Sequence, residues 1–136
     1  MKFDTKIAVV VRDDLATWQK LNVTAFTVSG IAAHVEGVIG EPYEDGSGNV
    51  YLPMLRQPVL VFSASADQIL RAYERALRRN VRCAIYTEEL FSTGHDEANR
   101  AAVKACASDE LKLAGMALRD QRKVVDRVLD GLMLHQ

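Results

Sequence analysis

The chain opens on an apolar segment in which polar residues do not alternate with apolar ones. Residues 7–11 read Ile-Ala-Val-Val-Val, and Arg12, Asp13 and Asp14 end the segment. An unbroken apolar strand is typical of a sheet that is covered by helices on both faces. The pattern therefore predicts a first strand buried inside a helix-covered sheet.

Apolar residues then recur at three- and four-residue steps, which predicts a long helix over residues 15–34. Phe26 and Ile31 add a second apolar strip. Two strips predict a helix that is buried on two sides or that lies in a subunit interface. The residues of the first strip are Trp18, Leu21, Ala25, Val28 and Ala32.

Residues 36–49 are rich in glycine and hold one proline, which predicts a loop. Within it, Asp45–Gly48 is typical of the tip of a β-hairpin. Tyr51 and Leu52 are expected to form a strand, and residues 58–62 a second one. The prolines between them place the first of these strands at a sheet edge.

A second helix is predicted from its start signal and its apolar stripe. Ser65 and Gln68 have the spacing of a capping box. Asn80 is a suitable residue to end the helix. The apolar stripe consists of Ile69, Tyr73, Ala76 and Leu77.

The rest of the chain, from residue 81 onward, continues the alternation of strands and helices. Strands are predicted over residues 81–86 and 111–118, with a short helix over 96–107 between them. Gly115, inside the second of these strands, predicts either a bulge or a close backbone approach. A final amphipathic helix is predicted from Val124, Val125, Val128, Leu129, Leu132 and Met133.

This order of elements predicts an α/β fold with three layers, α/β/α, around a mixed sheet of four to five strands. The chain has 136 residues, of which 49% are hydrophobic and 26% charged. That composition is ordinary for a globular protein and excludes a disordered or fibrous chain. The length predicts one domain over residues 1–136.

Charge and cysteine content narrow the function classes. The net charge of −1 provides no overall attraction to nucleic acid or to anionic membranes. Two cysteines are too few for a disulfide scaffold or a four-cysteine zinc site. The polar start and the short apolar run after it predict no signal peptide and no membrane span. We therefore expect a cytoplasmic protein without metal, cofactor or membrane contact.

Polar residues at the end of the first strand are the first candidate site. Ligands of α/β sheets bind at the carboxyl ends of strands. Arg12 and Asp14 lie there, and Lys20 and Asn22 follow on the first helix. Lys20 is a candidate for polarising a carbonyl or holding a phosphate. The alternative is an ordinary helix start whose acidic residues favour the helix dipole.

Basic residues on the second helix are the other candidate site. Arginine offers a two-pronged donor to phosphate, so a row of arginines on one face predicts contact with an RNA backbone. The alternative is a solvated face with internal ion pairs, or half of a self-association surface opposite acidic residues 36–45 and 88–97. The row consists of Arg71, Arg75 and Arg78.

The histidines and cysteines add no strong candidate to these two sites. His95 is flanked by acidic residues, which favours a solvated acidic loop over a cation or general-base site. Cys83 lies inside a predicted strand and is expected in the core. Cys106 has no neighbouring base in the sequence to activate it as a nucleophile.

Residues 6–15, Lys-Ile-Ala-Val-Val-Val-Arg-Asp-Asp-Leu, resemble the opening strand of the type II peptidyl-tRNA hydrolases. The order of elements is also similar, and Lys20 is the nearest counterpart of a lysine that opens the first helix in that family. Residues 86–90 stand where that family has an Asp-Ala-Gly-Arg-Thr signature. The chain is still more similar to a group of small uncharacterised bacterial proteins of this fold, through residues 22–25 and 113–118.

The resemblance implies a divergent relative of these hydrolases in which the family activity is not retained. A pocket with Asp14, Lys20, Asn22 and Glu88 is expected at the end of the first strand, with Lys20 and Glu88 as the catalytic candidates. Its ligand would be a small molecule. The alternative is a non-catalytic, homodimeric binding or assembly module. A third hypothesis is RNA binding, including tRNA, through the arginine row.

Overall fold

The computed structural model describes residues 3–136 and confirms a mixed α/β fold. A five-stranded sheet and a separate two-stranded hairpin are combined with four α-helices. The elements are β1 Thr5–Arg12, α1 Thr17–His34, β2 Tyr43–Glu44, β3 Val50–Tyr51, β4 Val59–Ala64, α2 Ala66–Arg78, β5 Cys83–Thr87, α3 Asp96–Lys104, β6 Leu113–Gln121, α4 Arg122–Val128 and β7 Met133–Leu134.

The main sheet has the strand order β5-β6-β1-β4-β7, with β1 at its centre. β1 pairs in parallel with β4, and Val9 lies opposite Val61. The pairs of β1 with β6, of β5 with β6 and of β4 with β7 are antiparallel. As a consequence β1, β4 and β5 run in one direction, and their carboxyl ends lie at the same end of the sheet.

Two apolar cores lie on the two faces of this sheet. Ile7, Val9 and Val11 belong to the core under α1. Ala8 and Val10 belong to the core formed with α2 and α4. The burial of β1 on both faces is therefore confirmed, and it places helices on both sides of the sheet, as predicted.

The face that α1 buries differs from the predicted one. Val23, Thr27 and Ile31 are its buried residues, whereas Trp18 and Phe26 are more than half exposed. Thr27 can be buried because its hydroxyl donates to the carbonyl oxygen of Val23 at 2.8 Å. The prediction that Trp18 and Leu21 belong to the packed stripe is therefore wrong.

Gly115 explains why this face of α1 lies so close to the sheet. A Cβ atom on Gly115 would lie 2.1 Å from Cγ1 of Val23, so only glycine leaves room for the helix. β6 also carries an extra residue here, because Tyr86 pairs with Gly115 while Thr87 pairs with Leu113. The predicted bulge and the predicted close approach are both present.

The helix after Ser65 matches its prediction at both ends. Ser65 and Gln68 bond each other reciprocally across the helix start. Asn80 has a positive φ of 57°, which is typical of a residue that ends a helix. Leu77, predicted in the apolar stripe, is half exposed instead.

The last predicted helix is shorter than expected. α4 ends at Val128, and Gly131 turns the chain with a φ of 87°. Met133 then pairs with Ser63 at the edge of the sheet. The helical prediction for Leu132 and Met133 is wrong, because edge pairing with β4 is a long-range interaction that helical periodicity does not reveal.

β2 and β3 form the predicted hairpin, and residues 41–54 around it are exposed throughout. We call this segment the arm. Asp45 holds its tip together by accepting bonds from the backbone amides of Ser47 and Asn49 and from the Tyr51 hydroxyl at 2.7 Å. Within residues 3–136, no helix has the length and apolar character needed to cross a bilayer.

We expect Tyr51→Phe to raise the pKa of Asp45. The Tyr51 hydroxyl and the bonds from Asn49 and Ser47 lower that pKa from 3.8 to about 2. Since the folded pKa is depressed, the stabilisation is present above pH 3.8 and is lost as the pH falls through about 2. The measurement is an NMR titration of the Asp45 carboxyl carbon. Tyr43→Phe, on the other strand of the hairpin, is the control, and an ordinary Asp45 pKa in the unmodified protein would contradict the network.

Candidate functional site

A cavity lined by four aromatic rings lies at the edge where β1 and β5 end. α1 contributes Trp18 and Phe26, β5 contributes Tyr86, and the 3₁₀ turn Glu88–Phe91 contributes Phe91. The ring centroids of Tyr86 and Phe91 are 4.9 Å apart. Phe26 stands edge-on to Tyr86 at 5.6 Å, and Trp18 stands edge-on to Phe91 at 5.9 Å. We call this cavity the aromatic pocket; its volume is about 320 Å³.

Uncharged polar groups complete the wall of the aromatic pocket. Asn22 donates from Nδ2 to the Tyr86 hydroxyl at 3.2 Å. Thr93 donates to the side-chain oxygen of Asn99, and both residues line the cavity. Burial raises the pKa of Tyr86, with the Asn22 bond opposing that effect, so the phenol is neutral at physiological pH.

The acidic and imidazole groups at the same wall are already engaged. Asp96 forms an ion pair with Arg100 one helical turn later. His95 caps α3, because its Nδ1 accepts from the backbone amide of Ala98 at 3.2 Å. Within residues 3–136 there is no group of three or more metal-ligating side chains. The lining is therefore suited to an uncharged ligand.

Three of the sequence-predicted site residues meet in one cluster beside this pocket. Arg12 contacts Asp14 through Nε at 2.7 Å and Glu88 through Nη1 at 2.7 Å. It also donates to the Leu113 carbonyl oxygen at 3.4 Å. The bond from Arg12 lowers the pKa of Asp14. The cluster thus joins the end of β1, the turn after β5 and the start of β6.

Lys20 lies in a different groove from Asn22, although the two residues are close in the sequence. Its Nζ is 3.1 Å from Nε2 of His135, near the chain end. Gln68 and Met133 also line that groove. Lys20 and Glu88 are therefore held by different partners, and their joint catalytic role stays a prediction.

The arginine row is divided by the structure. Arg75 donates to the carbonyl oxygens of Val128 at 2.9 Å and Asp130 at 3.2 Å, so it secures the end of α4. Arg71 and Arg78 are exposed. RNA contact through the row stays a prediction. Of the three arginines, Arg71 and Arg78 are the ones whose exposed side chains could contact a phosphate backbone.

The aromatic rings are the functional candidates that sequence reasoning missed. The helical spacing of Trp18 and Phe26 predicts packing residues of α1. Their exposure on a helix whose other face is buried is a tertiary property.

Cys83 is half-buried in β5, and burial raises the pKa of its thiol to about 11, so it stays protonated at neutral pH.

Comparison with known proteins places the chain in a family. A family model described as a protein of unknown function, DUF2000, matches residues 5–136. The chain belongs to the DUF2000 family. The expectation of an uncharacterised domain is thereby confirmed. Among curated proteins, none matches the chain.

A solved structure of similar fold and sequence is that of the protein of unknown function Atu0240 from Agrobacterium tumefaciens strain C58. It is 50% identical to this DUF2000 protein and superposes with a TM-score of 0.97. The match covers 99% of this chain and 100% of the other.

Proposed function

We propose that this DUF2000 protein binds a small, planar, uncharged heteroaromatic molecule in the aromatic pocket. The observation that carries the proposal is that four rings line one open cavity with a side-chain amide at its wall. Its volume of about 320 Å³ lies within the range of small-molecule sites. The whole chain, residues 1–136, would act as one domain in this role.

The chemistry of the lining supports this ligand class. Aromatic side chains favour offset or edge-on contact with a second ring. Asn22 offers an amide that can exchange its Tyr86 partner for an amide or hydroxyl of a ligand. The one carboxylate in the lining, Asp96, is paired with Arg100, and Arg12 beside the pocket is paired with its own two carboxylates, which favours an uncharged ligand.

We further propose that the fold is related to that of the type II peptidyl-tRNA hydrolases without their activity. The opening strand with Arg12 and Asp14, and the order of the elements after it, support the relation. The separate partners of Lys20 and Glu88 support the loss of activity, because proton transfer needs hydrogen-bond contact between the acting groups and one substrate.

The ligand proposal can be tested through Trp18, which is the one tryptophan of the chain. Because Trp18 lines the aromatic pocket, its fluorescence reports occupancy directly. The probe is nicotinamide, a planar heteroaromatic amide, and the matched control compound is cyclohexanecarboxamide, which carries the same amide without an aromatic ring. We expect a saturable change with nicotinamide alone.

Variants separate the pocket from the rest of α1. Phe26→Ala and Asn22→Ala are expected to weaken nicotinamide binding by about tenfold each, a loss near 1.4 kcal/mol. Leu21→Ala is the control, because Leu21 is exposed on the same helix and lies outside the pocket. A linear response without saturation, or an equal response to both compounds, would reject the proposal.

Loss of hydrolase activity has its own test. Peptidyl-tRNA is expected to stay intact when it is incubated with the purified protein, and equally when it is incubated with Lys20→Ala. Cleavage that disappears in Lys20→Ala would overturn the non-catalytic interpretation and would place Lys20 in an active site.

A further inference from the structure

The arm presents an apolar surface to solvent that its own fold does not use. Each of its large apolar side chains is more than half exposed, and Leu52 is 83% exposed. An exposed apolar patch of this kind is typical of an interaction site. These side chains are Tyr43, Val50, Tyr51, Leu52 and Met54.

A groove with a largely apolar lining lies between the end of α2 and β5, the outermost strand on that side of the sheet. The volume of this groove is about 460 Å³, which exceeds that of the aromatic pocket. We call it the α2–β5 groove. The residues that line it include Tyr73, Leu77, Val81, Arg82, Cys83 and Ile85.

The two surfaces carry opposite charges. The arm has three carboxylates, on Glu41, Glu44 and Asp45, and the last is bonded within the hairpin tip. The one basic residue beside the arm is Arg56, at its base. The groove has Arg82 in its lining, and the exposed Arg78 and Arg79 lie at the adjoining end of α2. Within residues 3–136, none of these three arginines forms an ion pair, in contrast to Arg12 and Arg100.

Both surfaces lie at the same end of the main sheet. The arm leads into β4, which starts at Val59, and β5 starts at Cys83 in the groove. Since β4 and β5 run in the same direction, their first residues lie at the same end of the sheet. The aromatic pocket lies at the opposite end, where β1 and β5 finish.

We propose that the arm of one copy docks into the α2–β5 groove of a second copy, and that the contact is reciprocal. Placement of arm and groove at one end lets a two-fold axis create both contacts at once. The apolar side chains of the arm cover the groove, while its carboxylates face the arginines. The occupant is thus a second copy of this chain, and the aromatic pocket stays open.

The first test is the mass of the full chain by sedimentation equilibrium. We expect a concentration-dependent dimer with twice the 15.1 kDa of the single chain. Leu52→Lys should weaken the dimer by at least about tenfold, because it removes an apolar contact and places a cation against arginines. Leu21→Lys is the matched control, since Leu21 is an exposed leucine outside both surfaces.

The second test mixes two variants that are each impaired on one surface. Arg82→Glu gives the groove a charge that repels the arm carboxylates. Leu52→Lys replaces an apolar contact residue of the arm and leaves the groove unchanged. Each variant alone is expected to be monomeric where the unmodified protein is dimeric. A mixture should form a heterodimer, because one arm and one groove remain intact between the two chains.

Three outcomes would overturn the proposal. These are a monomeric unmodified protein at all concentrations, a dimer that tolerates Leu52→Lys as well as it tolerates Leu21→Lys, and a mixture that stays monomeric. Circular dichroism of each variant verifies folding, and the exposure of Leu52 and Arg82 makes unfolding an unexpected result.

Discussion

Gly115→Ala is expected to lower the free energy of unfolding by about 3 kcal/mol or more, at the upper end of what overpacking costs. The added Cβ would lie 2.1 Å from Cγ1 of Val23 and 3.0 Å from the carbonyl oxygen of Val10. Val23 is fully buried, and Val10 belongs to the central strand. Neither can withdraw, so α1 must move away from the sheet along its whole packed face.

Urea unfolding measures this effect, and a second substitution shows its cause. Val23→Ala removes the Cγ1 atom, so the double variant should lose less stability than the two single losses together. Gly46→Ala is the matched control, because a Cβ there meets no atom within 4 Å. Strict additivity, or a Gly115→Ala loss as small as that of the control, would contradict the close approach.

Arg12→Ala is expected to lower the free energy of unfolding by about 2 kcal/mol. Arg12 is 12% exposed and loses three bonds, to Asp14, Glu88 and the Leu113 carbonyl. Removal of one partner from a fully buried pair costs about 3–5 kcal/mol. The smaller value applies here because both carboxylates are about half exposed and regain water.

The pH dependence of stability identifies the same cluster. The bond from Arg12 lowers the pKa of Asp14 below its ordinary 3.8. A depressed folded pKa contributes stability above pH 3.8 that is lost as the pH falls through the folded value.

Arg12→Ala should therefore flatten the acid limb of a stability-against-pH curve measured by urea unfolding. Arg71→Ala, at an exposed arginine, is the control and should leave the curve unchanged. An acid limb that Arg12→Ala does not flatten would show that Asp14 is not held by Arg12.

Local patterns in the sequence were sufficient for most of the elements. The apolar residues of β1 predicted its two-sided burial, and Ser65 with Gln68 predicted the start of α2. The residues Asp45–Gly48 likewise predicted the tip of the hairpin. The start of α2 and the hairpin tip are set by interactions between residues a few positions apart. The burial of β1 depends on distant helices, but its unbroken apolar composition is itself visible in the sequence.

The candidate site was predicted only in part. Arg12 and Asp14 are two residues apart, but Glu88 joins them because β6 brings the end of β5 beside the end of β1. Lys20 and Asn22 were expected in one pocket. They face separate grooves because residues two positions apart on a helix point to nearly opposite sides.

The sequence by itself therefore determined the fold class, the central buried strand and the position of the close approach at Gly115. Tertiary structure alone decided which face of α1 is buried, since Val23 contacts Gly115 and leaves Trp18 and Phe26 exposed. It also decided the edge pairing of β7 and the assembly of four rings from α1, β5 and the turn after β5. These are contacts between distant residues, and periodicity along one chain carries no information about the partner across the contact.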